Sequence, residues 1–303
     1  MRGSAPAVTV VHTFPPETRE ASAAVLTPGD EEWLAQSLRM AGRHVIGHRG
    51  HHWLEAPRGF YQPIHLMARL HADEVTRPRP LAWGYRATLC DEDSAAHANA
   101  ALPVHILTDV AGYTMEALGR RDRRAVRQCA RRATIVELTG RRLLREQGFD
   151  VKRSAVQRTG YGSADSREAY LAGIDEFFGT SRVVLGGIVD RRLGGYLTGT
   201  LVGGTAYIGN LVIATEALRT AIGTGLVFQF VQACRRRRDV HEVVYGLHSI
   251  EDKRLVEYKE RLGFPVRRVP AKASVNRFIA VALRRRLPYT HYRLTGVAPP
   301  NAV

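Results

Sequence analysis

Lysine is almost missing from this chain of 303 residues. Of 44 Lys+Arg only Lys152, Lys253, Lys259 and Lys272 are lysine, and 44 − 4 leaves 40 Arg. GC-rich codon usage produces such a ratio by itself, so the net charge of +15 says little about function as a sum. Cysteine is scarce too. Cys90, Cys129 and Cys234 are odd in number, far apart and without C-x-x-C spacing, which argues against a disulfide framework and a cysteine-based zinc site and fits a reducing cytoplasm. No stretch approaches 18 apolar residues, and the first 30 residues contain no signal-type apolar run, so the expectation is a soluble cytoplasmic protein without a membrane span. What is abundant is core material. With 45% hydrophobic residues the chain can bury one large domain or two ordinary ones.

Residues 1–28 read as a loose start, and Asp30 as the cap of a helix that runs toward Met40. From Val45 to Leu107 short apolar runs alternate with Gly, Pro and His; Ile64 to Leu70, Leu81 to Leu89 and Val104 to Val110 are strand candidates. Residues 115–132 form a basic helix, followed by a strand Thr134 to Leu138, a short helix Arg141 to Gln147 closed by Gly148, and a helix Asp165 to Phe178. Three strands joined by tight turns follow, Arg182 to Val189, Gly195 to Val202 and Ala206 to Ile213. A helix from Ile222 to Arg237, a strand Glu242 to Tyr245, a helix Glu251 to Arg261, a strand Pro265 to Val269 and a last apolar run Val275 to Leu283 complete the pattern. The implied class is α+β, or mixed α/β, with hairpins giving way to crossovers at residue 213. The expected division is 1–28, 29–115, 116–285 and a tail 286–303.

The stretch LVIATEALRTAIGTGL, residues 211–226, carries the clearest chemical signal. A strand delivers a short loop with Gly223 and Gly225 and a helix follows at once. Free N–H groups at a helix start, approached over glycine, suit a phosphate, although tight turns use glycine for steric reasons as well. Together with Leu211-Val212-Ile213, Ile222-Gly223-Thr224-Gly225-Leu226 and Leu255-Val256-Glu257-Tyr258-Lys259-Glu260-Arg261-Leu262-Gly263-Phe264, this resembles the GNAT acyltransferase superfamily. Thr220 stands where that superfamily has Gln or Arg, with Arg219 one place earlier. The Tyr258-Lys259 pair ahead of Gly263-Phe264 looks like the tandem-GNAT branch of the Fem type, over about residues 118 to 275, with a degenerate first unit in 29–115 by analogy.

The resemblance implies direct acyl transfer from acyl-CoA, or aminoacyl transfer from aminoacyl-tRNA, to a small-molecule or peptide amine. It implies oxyanion donors among the N–H groups of Val212, Ile213 and Ala214, donor contacts from Arg219, Thr220, Gly223, Thr224 and Gly225, and Tyr258 as proton donor to the leaving group. Lys259, one of four lysines, takes the donor's phosphate or carbonyl end, or is a solvated helix lysine beside Glu260. Asn210 and His248 sit at strand ends near the switch point, His248 as a general base or a polar loop residue.

Two further clusters stand out. His44, His48, His51, His52 and His65 lack the helical spacing or carboxylate partners of a metal site, and no metal is expected. Seven of the thirteen positions 120–132 are Arg; Arg120, Arg123, Arg124 and Arg127 are either a solvated face or a site for a polyanion such as tRNA or a phosphorylated acceptor. The alternative to an enzyme is therefore an inactive GNAT-like module that binds nucleic acid or an acidic partner. Oligomeric state is open.

Overall fold

The computed structural model describes residues 15–160, 166–179 and 181–298. The chain begins with β1 (Thr18–Glu20), α1 (Glu31–Met40), β2 (Val45–His48), β3 (His51–Glu55), β4 (Phe60–Pro63), β5 (Gly84–Thr88), α2 (Asp91–His97) and β6 (Ala100–Leu107). It continues with α3 (Arg120–Arg132), β7 (Thr134–Leu138), α4 (Phe149–Thr159), α5 (Arg167–Gly173), β8 (Arg182–Val189), β9 (Arg192–Val202) and β10 (Thr205–Ile213). Last come α6 (Ile222–Arg235), β11 (Glu242–Leu247), α7 (Lys253–Arg261), β12 (Val266–Val275), α8 (Arg277–Arg286) and α9 (Pro288–Thr295).

All of these strands join one 12-stranded sheet in the order β1-β7-β8-β9-β10-β11-β6-β12-β5-β4-β3-β2. The order has an internal symmetry. Replacing each strand from β2 to β6 by the one numbered six higher, and the reverse, reads the segment from β8 to β2 backwards. Two five-stranded units are thus related about the β6·β12 pair, and each lends its last strand to the other. The parallel pairs obey the same relation, β4 with β5 and β10 with β11.

The larger core lies in the second unit. Ile222, Leu226, Val227, Phe230, Val231 and Cys234 bury α6 on most of its surface. Phe230 is fully buried because Gly199 on β9 leaves room for its ring; hiding such a side chain contributes about 2–3 kcal/mol. In the first unit a smaller cluster gathers around Trp53, Tyr61, Leu70 and Val75.

Several boundaries differ from the sequence expectation. The start is anchored from residue 15 onward: Ala21, Ala24 and Leu26 are buried, and Arg236 and Arg237 donate to their backbone carbonyls. The Arg run after α6 is therefore partly a clamp on this segment, while residues 1–14 lie outside the described ones. Ile64 to Leu70 is an irregular connection instead of a strand, because its polar groups turn to the other unit. His65 Nδ1 lies 2.7 Å from Tyr207 Oη, which also accepts from the Met67 N–H at 3.1 Å. Gly148 does not end a helix; the chain coils on through it into α4, and its missing side chain admits the Tyr170 ring. Gly160, with φ 67°, ends α4 instead. Asp165 lies outside the described residues, and α5 with a following 3-10 turn accounts for the expected helix. The segment read as a tail from residue 286 contains α9, whose His291, Tyr292 and Leu294 are buried.

Candidate active site

β10 and β11 pair in parallel only over Thr205↔Glu242, Ala206↔Val243 and Tyr207↔Val244. Beyond Tyr207 the strands part, β11 staying with β6 and β10 with β9, so among the described residues one edge of residues 208–213 has no strand partner. A bulge between Ile208 and Leu211 bends β10 at this point, and Asn210 is tied there to Thr198 Oγ1 through its backbone N–H at 2.9 Å and its amide at 3.2 Å. The Ile213 carbonyl faces the open edge, where it accepts from Arg158 at 3.0 Å. By the two-residue alternation of a strand, the N–H groups of Leu211 and Ile213 face that edge as well.

The parting strands open a cleft of about 780 Å³. Its walls are α4 with Lys152, Arg158 and Thr159, β10 from Ile208 to Ile213, the start of α6 with Gly223 and Thr224, Tyr245 and Gly246 of β11, and Leu255, Tyr258 and Lys259 of α7. Ala221 takes a left-handed conformation, φ 60°, to turn the chain into α6. Gly223 is open to the cleft: a Cβ there would stand 3.4 Å from the Tyr258 hydroxyl.

Burial pushes the Tyr258 hydroxyl up to about 12, so it holds its proton at neutral pH. Lys259 is 6% exposed, with Nζ 4.9 Å from the centre of the Tyr245 ring. Desolvation pulls its ammonium down to about 8, against the attraction of Asp252. The two adjacent residues thus offer a stable proton donor and a group that exchanges its proton near neutrality.

Of the residues singled out in the sequence, Asn210, Val212, Ile213, Gly223, Thr224, Tyr258 and Lys259 line this cleft together. The others are placed elsewhere. The Val212 backbone faces β9 by the same alternation, and Ala214 is buried and spends its N–H on Gly194, so neither has an N–H to offer an oxyanion; Leu211 stands in their place beside Ile213. Thr220 is buried with its hydroxyl on the Ala217 carbonyl, and the Arg219 carbonyl accepts from Gln128. Gly225 faces away from the cleft onto α3, where a side chain would strike Cys129; it is a packing glycine. His248 stands outside the cleft walls, its Nδ1 2.6 Å from Tyr292 Oη and its ring 5.4 Å from that of His105. Burial lowers His248 below the usual histidine range and takes His105 down to about 4. The sequence pattern does not announce the α4 wall, since Gly148 resembles a helix end; the buried i, i+4 pair Val151 and Ala155 is the apolar signal it carries.

On α3, Arg120, Arg124, Arg127 and Arg131 follow one helical face at spacings of four, three and four, and all are exposed. Arg123 differs, donating to the carbonyls of Glu116 at 3.1 Å and Leu118 at 2.7 Å. The opposite side of α3 packs on α6 through Cys129.

Paired units with parallel strands that part at a bulge, and exchanged terminal strands, define a tandem GNAT-like fold. Solved structures share it. The C-terminal domain of a protein described as a lysylphosphatidylglycerol synthetase from Agrobacterium fabrum matches with a TM-score of 0.58 at 12% identity, over 87% of this chain and 92% of that chain. FemX matches with a TM-score of 0.58 at 11% identity, over 87% and 96%. L-PGS from Bacillus licheniformis matches at 0.55 and 11% identity, over 92% and 100%. No family model matches the sequence, and no curated protein matches it. Among the described residues no helix is long and apolar enough to cross a membrane.

Proposed function

We propose that the protein is an acyltransferase that moves an acyl group from acyl-CoA, or an aminoacyl group from aminoacyl-tRNA, directly to the amine of a small molecule or peptide. The observation that carries this reading is the convergence of an open strand edge, the Gly223 helix start, Tyr258 and Lys259 on one cleft. The donor carbonyl lies against β10, where the Leu211 and Ile213 N–H groups receive the developing oxyanion. The acceptor amine forms the new N–C bond as the C–S or C–O bond to the carrier breaks. Neutral Lys259 takes the proton from the attacking nitrogen, and Tyr258 gives its proton to the departing thiolate or ribose oxygen. The Lys259 ammonium then restores the Tyr258 proton. Donor phosphate sits over Gly223 at the α6 start, where the helix dipole favours negative charge.

Binding experiments separate the donors. Either acetyl-CoA raises the melting temperature and appears in native mass spectra, or charged tRNA is bound at physiological salt and its aminoacyl group passes to an offered amine. Failure of both sinks the reading. The exposed Arg face of α3 favours a second reading, an inactive module that holds a polyanion. In that case Lys259→Met and Gly223→Leu leave polyanion binding intact and no transfer is found, while charge removal on α3 abolishes binding.

A further inference from the structure

The connection from β4 to β5 ends beside a cluster that the cleft does not use. His71 on this connection, Cys90 just before α2 and Asp93 in its first turn direct their ligand atoms to one point. His71 Nδ1 lies 3.3 Å from Asp93 Oδ2 and 3.4 Å from Cys90 Sγ, and Cys90 Sγ lies 3.7 Å from Asp93 Oδ2.

Two kinds of chemistry use a Cys, a His and an Asp, and the geometry separates them. In a nucleophilic relay the carboxylate and the nucleophile occupy opposite ring nitrogens. Here both approach the same nitrogen, Nδ1, so the carboxylate cannot support the ring against a thiol on its other side. A metal asks for the observed arrangement instead. Zinc bonds of about 2.0–2.1 Å to nitrogen, about 2.3 Å to sulfur and about 2.0–2.2 Å to a carboxylate oxygen give tetrahedral edges of roughly 3.4 Å for N–O and roughly 3.6 Å for S–N and S–O. The three edges of this cluster agree with those values within about 0.2 Å.

Neighbouring bonds hold the ligands in place. Asp93 Oδ2 accepts from the Ala72 N–H at 2.7 Å, and the His71 N–H is held by Glu74 at 2.8 Å. We propose that His71, Cys90 and Asp93 bind one Zn²⁺, with the fourth position left to water on the exposed His71 side. Thiolate, carboxylate and neutral imidazole make the site electrically neutral with the ion, and the thiol proton leaves to solvent on binding. The ion ties the β4–β5 connection to α2, beside the single bridge between Leu70 and Leu89.

The test uses the full chain, stripped with chelator and titrated with Zn²⁺ against a chromophoric indicator. One equivalent is taken up, and Cys90→Ser and His71→Ala each weaken binding at least about 100-fold. His44→Ala, whose ring pairs with Glu55 of β3 and touches none of these residues, leaves it unchanged. Co²⁺ added to the unaltered chain gives a thiolate-to-cobalt charge-transfer band, which decides the matter even if the Cys90 variant does not fold. Absence of that band, uptake unaffected by Cys90→Ser, or loss of uptake in His44→Ala overturns the proposal.

Discussion

Between β10 and β11 the chain crosses the sheet through α6, whereas between β4 and β5 it crosses through residues 64–83 without a helix. Both connections join parallel strands at equivalent places in the sheet. A parallel crossover ordinarily runs through a helix, which lets it satisfy its own backbone. The first unit departs from this because Pro78 and Pro80 lack donors and Arg69 takes a positive φ of 51°, so the segment finds partners outside itself. Arg69 reaches Glu242 of β11, and Tyr207 of β10 binds the His65 and Met67 positions. Only the crossover that contains a helix brings a glycine start and its N–H groups to the parted strands; the other supports the first by bracing β10 and β11 from behind.

Lys259→Met gives the sharpest break in this asymmetry. On the proposed role of Lys259 as proton acceptor, turnover falls by about 100- to 1,000-fold while donor binding persists. Stability moves the opposite way, and the sign follows from the lowered pKa. Below about pH 8 folded and unfolded chains both hold the Lys259 proton, so the cost of the buried ammonium is present in full. Between about 8 and 10.5 the folded chain releases the proton and the unfolded chain keeps it, so stability rises with pH. The Met variant is therefore more stable at pH 7 by up to about 3 kcal/mol, a gain that fades toward pH 10.5. Denaturant titrations at several pH values check this; a pH-independent difference removes Lys259 as the buried base.

The two glycines of the α6 start divide site from packing. Gly223→Leu fills the cleft beside Tyr258 and lowers turnover by about 100-fold with a small change in melting temperature. Gly225→Leu drives a side chain into Cys129 and costs about 1–3 kcal/mol, with the remaining folded protein active. Equal behaviour of the two variants contradicts the placement of the donor at Gly223.

The same pair shows what the sequence could convey. Local patterns identified β8, β9, β10, α6 and α7, since hairpin turns and helical periodicity are written within a few residues. Gly223 and Gly225 look equivalent in that pattern, because the face each presents depends on α3, whose Cys129 lies 225 − 129 = 96 residues before Gly225. The exchange of β6 and β12 is not legible for the same reason: a strand's neighbour is set by long-range packing, and neither the apolar β6 nor the mixed, Arg-bearing β12 carries a local mark of its partner. Gly148 misled because a glycine needed for contact with Tyr170 resembles one needed for a helix end. Tyr258 and Lys259 were found through a resemblance, and their shifted proton affinities became visible only with the burial around them.

A smaller effect concerns the brace itself. Glu242 is 5% exposed and accepts from Arg69 and, at 2.8 Å, from the Thr205 hydroxyl. Arg69→Ala leaves that carboxylate buried with one neutral donor, at a cost of about 2–3 kcal/mol. Glu242→Gln with Arg69→Met recovers part of the loss, because the buried charge is gone. If the single variant unfolds with an unchanged midpoint, the crossover without a helix is not a support for the cleft.

The smallest expected effect on stability belongs to the Arg face of α3, and it separates the two functional readings. Arg120, Arg124, Arg127 and Arg131 are exposed and project away from the α6 contact, so replacing all four by Ser changes stability by no more than about 0.5 kcal/mol. Their contribution to holding a polyanion scales differently. Each cation in contact with a single-stranded phosphate backbone contributes about 0.7 to the slope of log affinity against log salt, so four contacts lower it by about 3. An acyltransferase that uses acyl-CoA keeps its turnover in the fourfold variant. One that uses aminoacyl-tRNA loses affinity for the donor at physiological salt and recovers it at low salt. If neither turnover nor the salt slope changes, the Arg face is a solvated surface and the cleft alone recognises the donor.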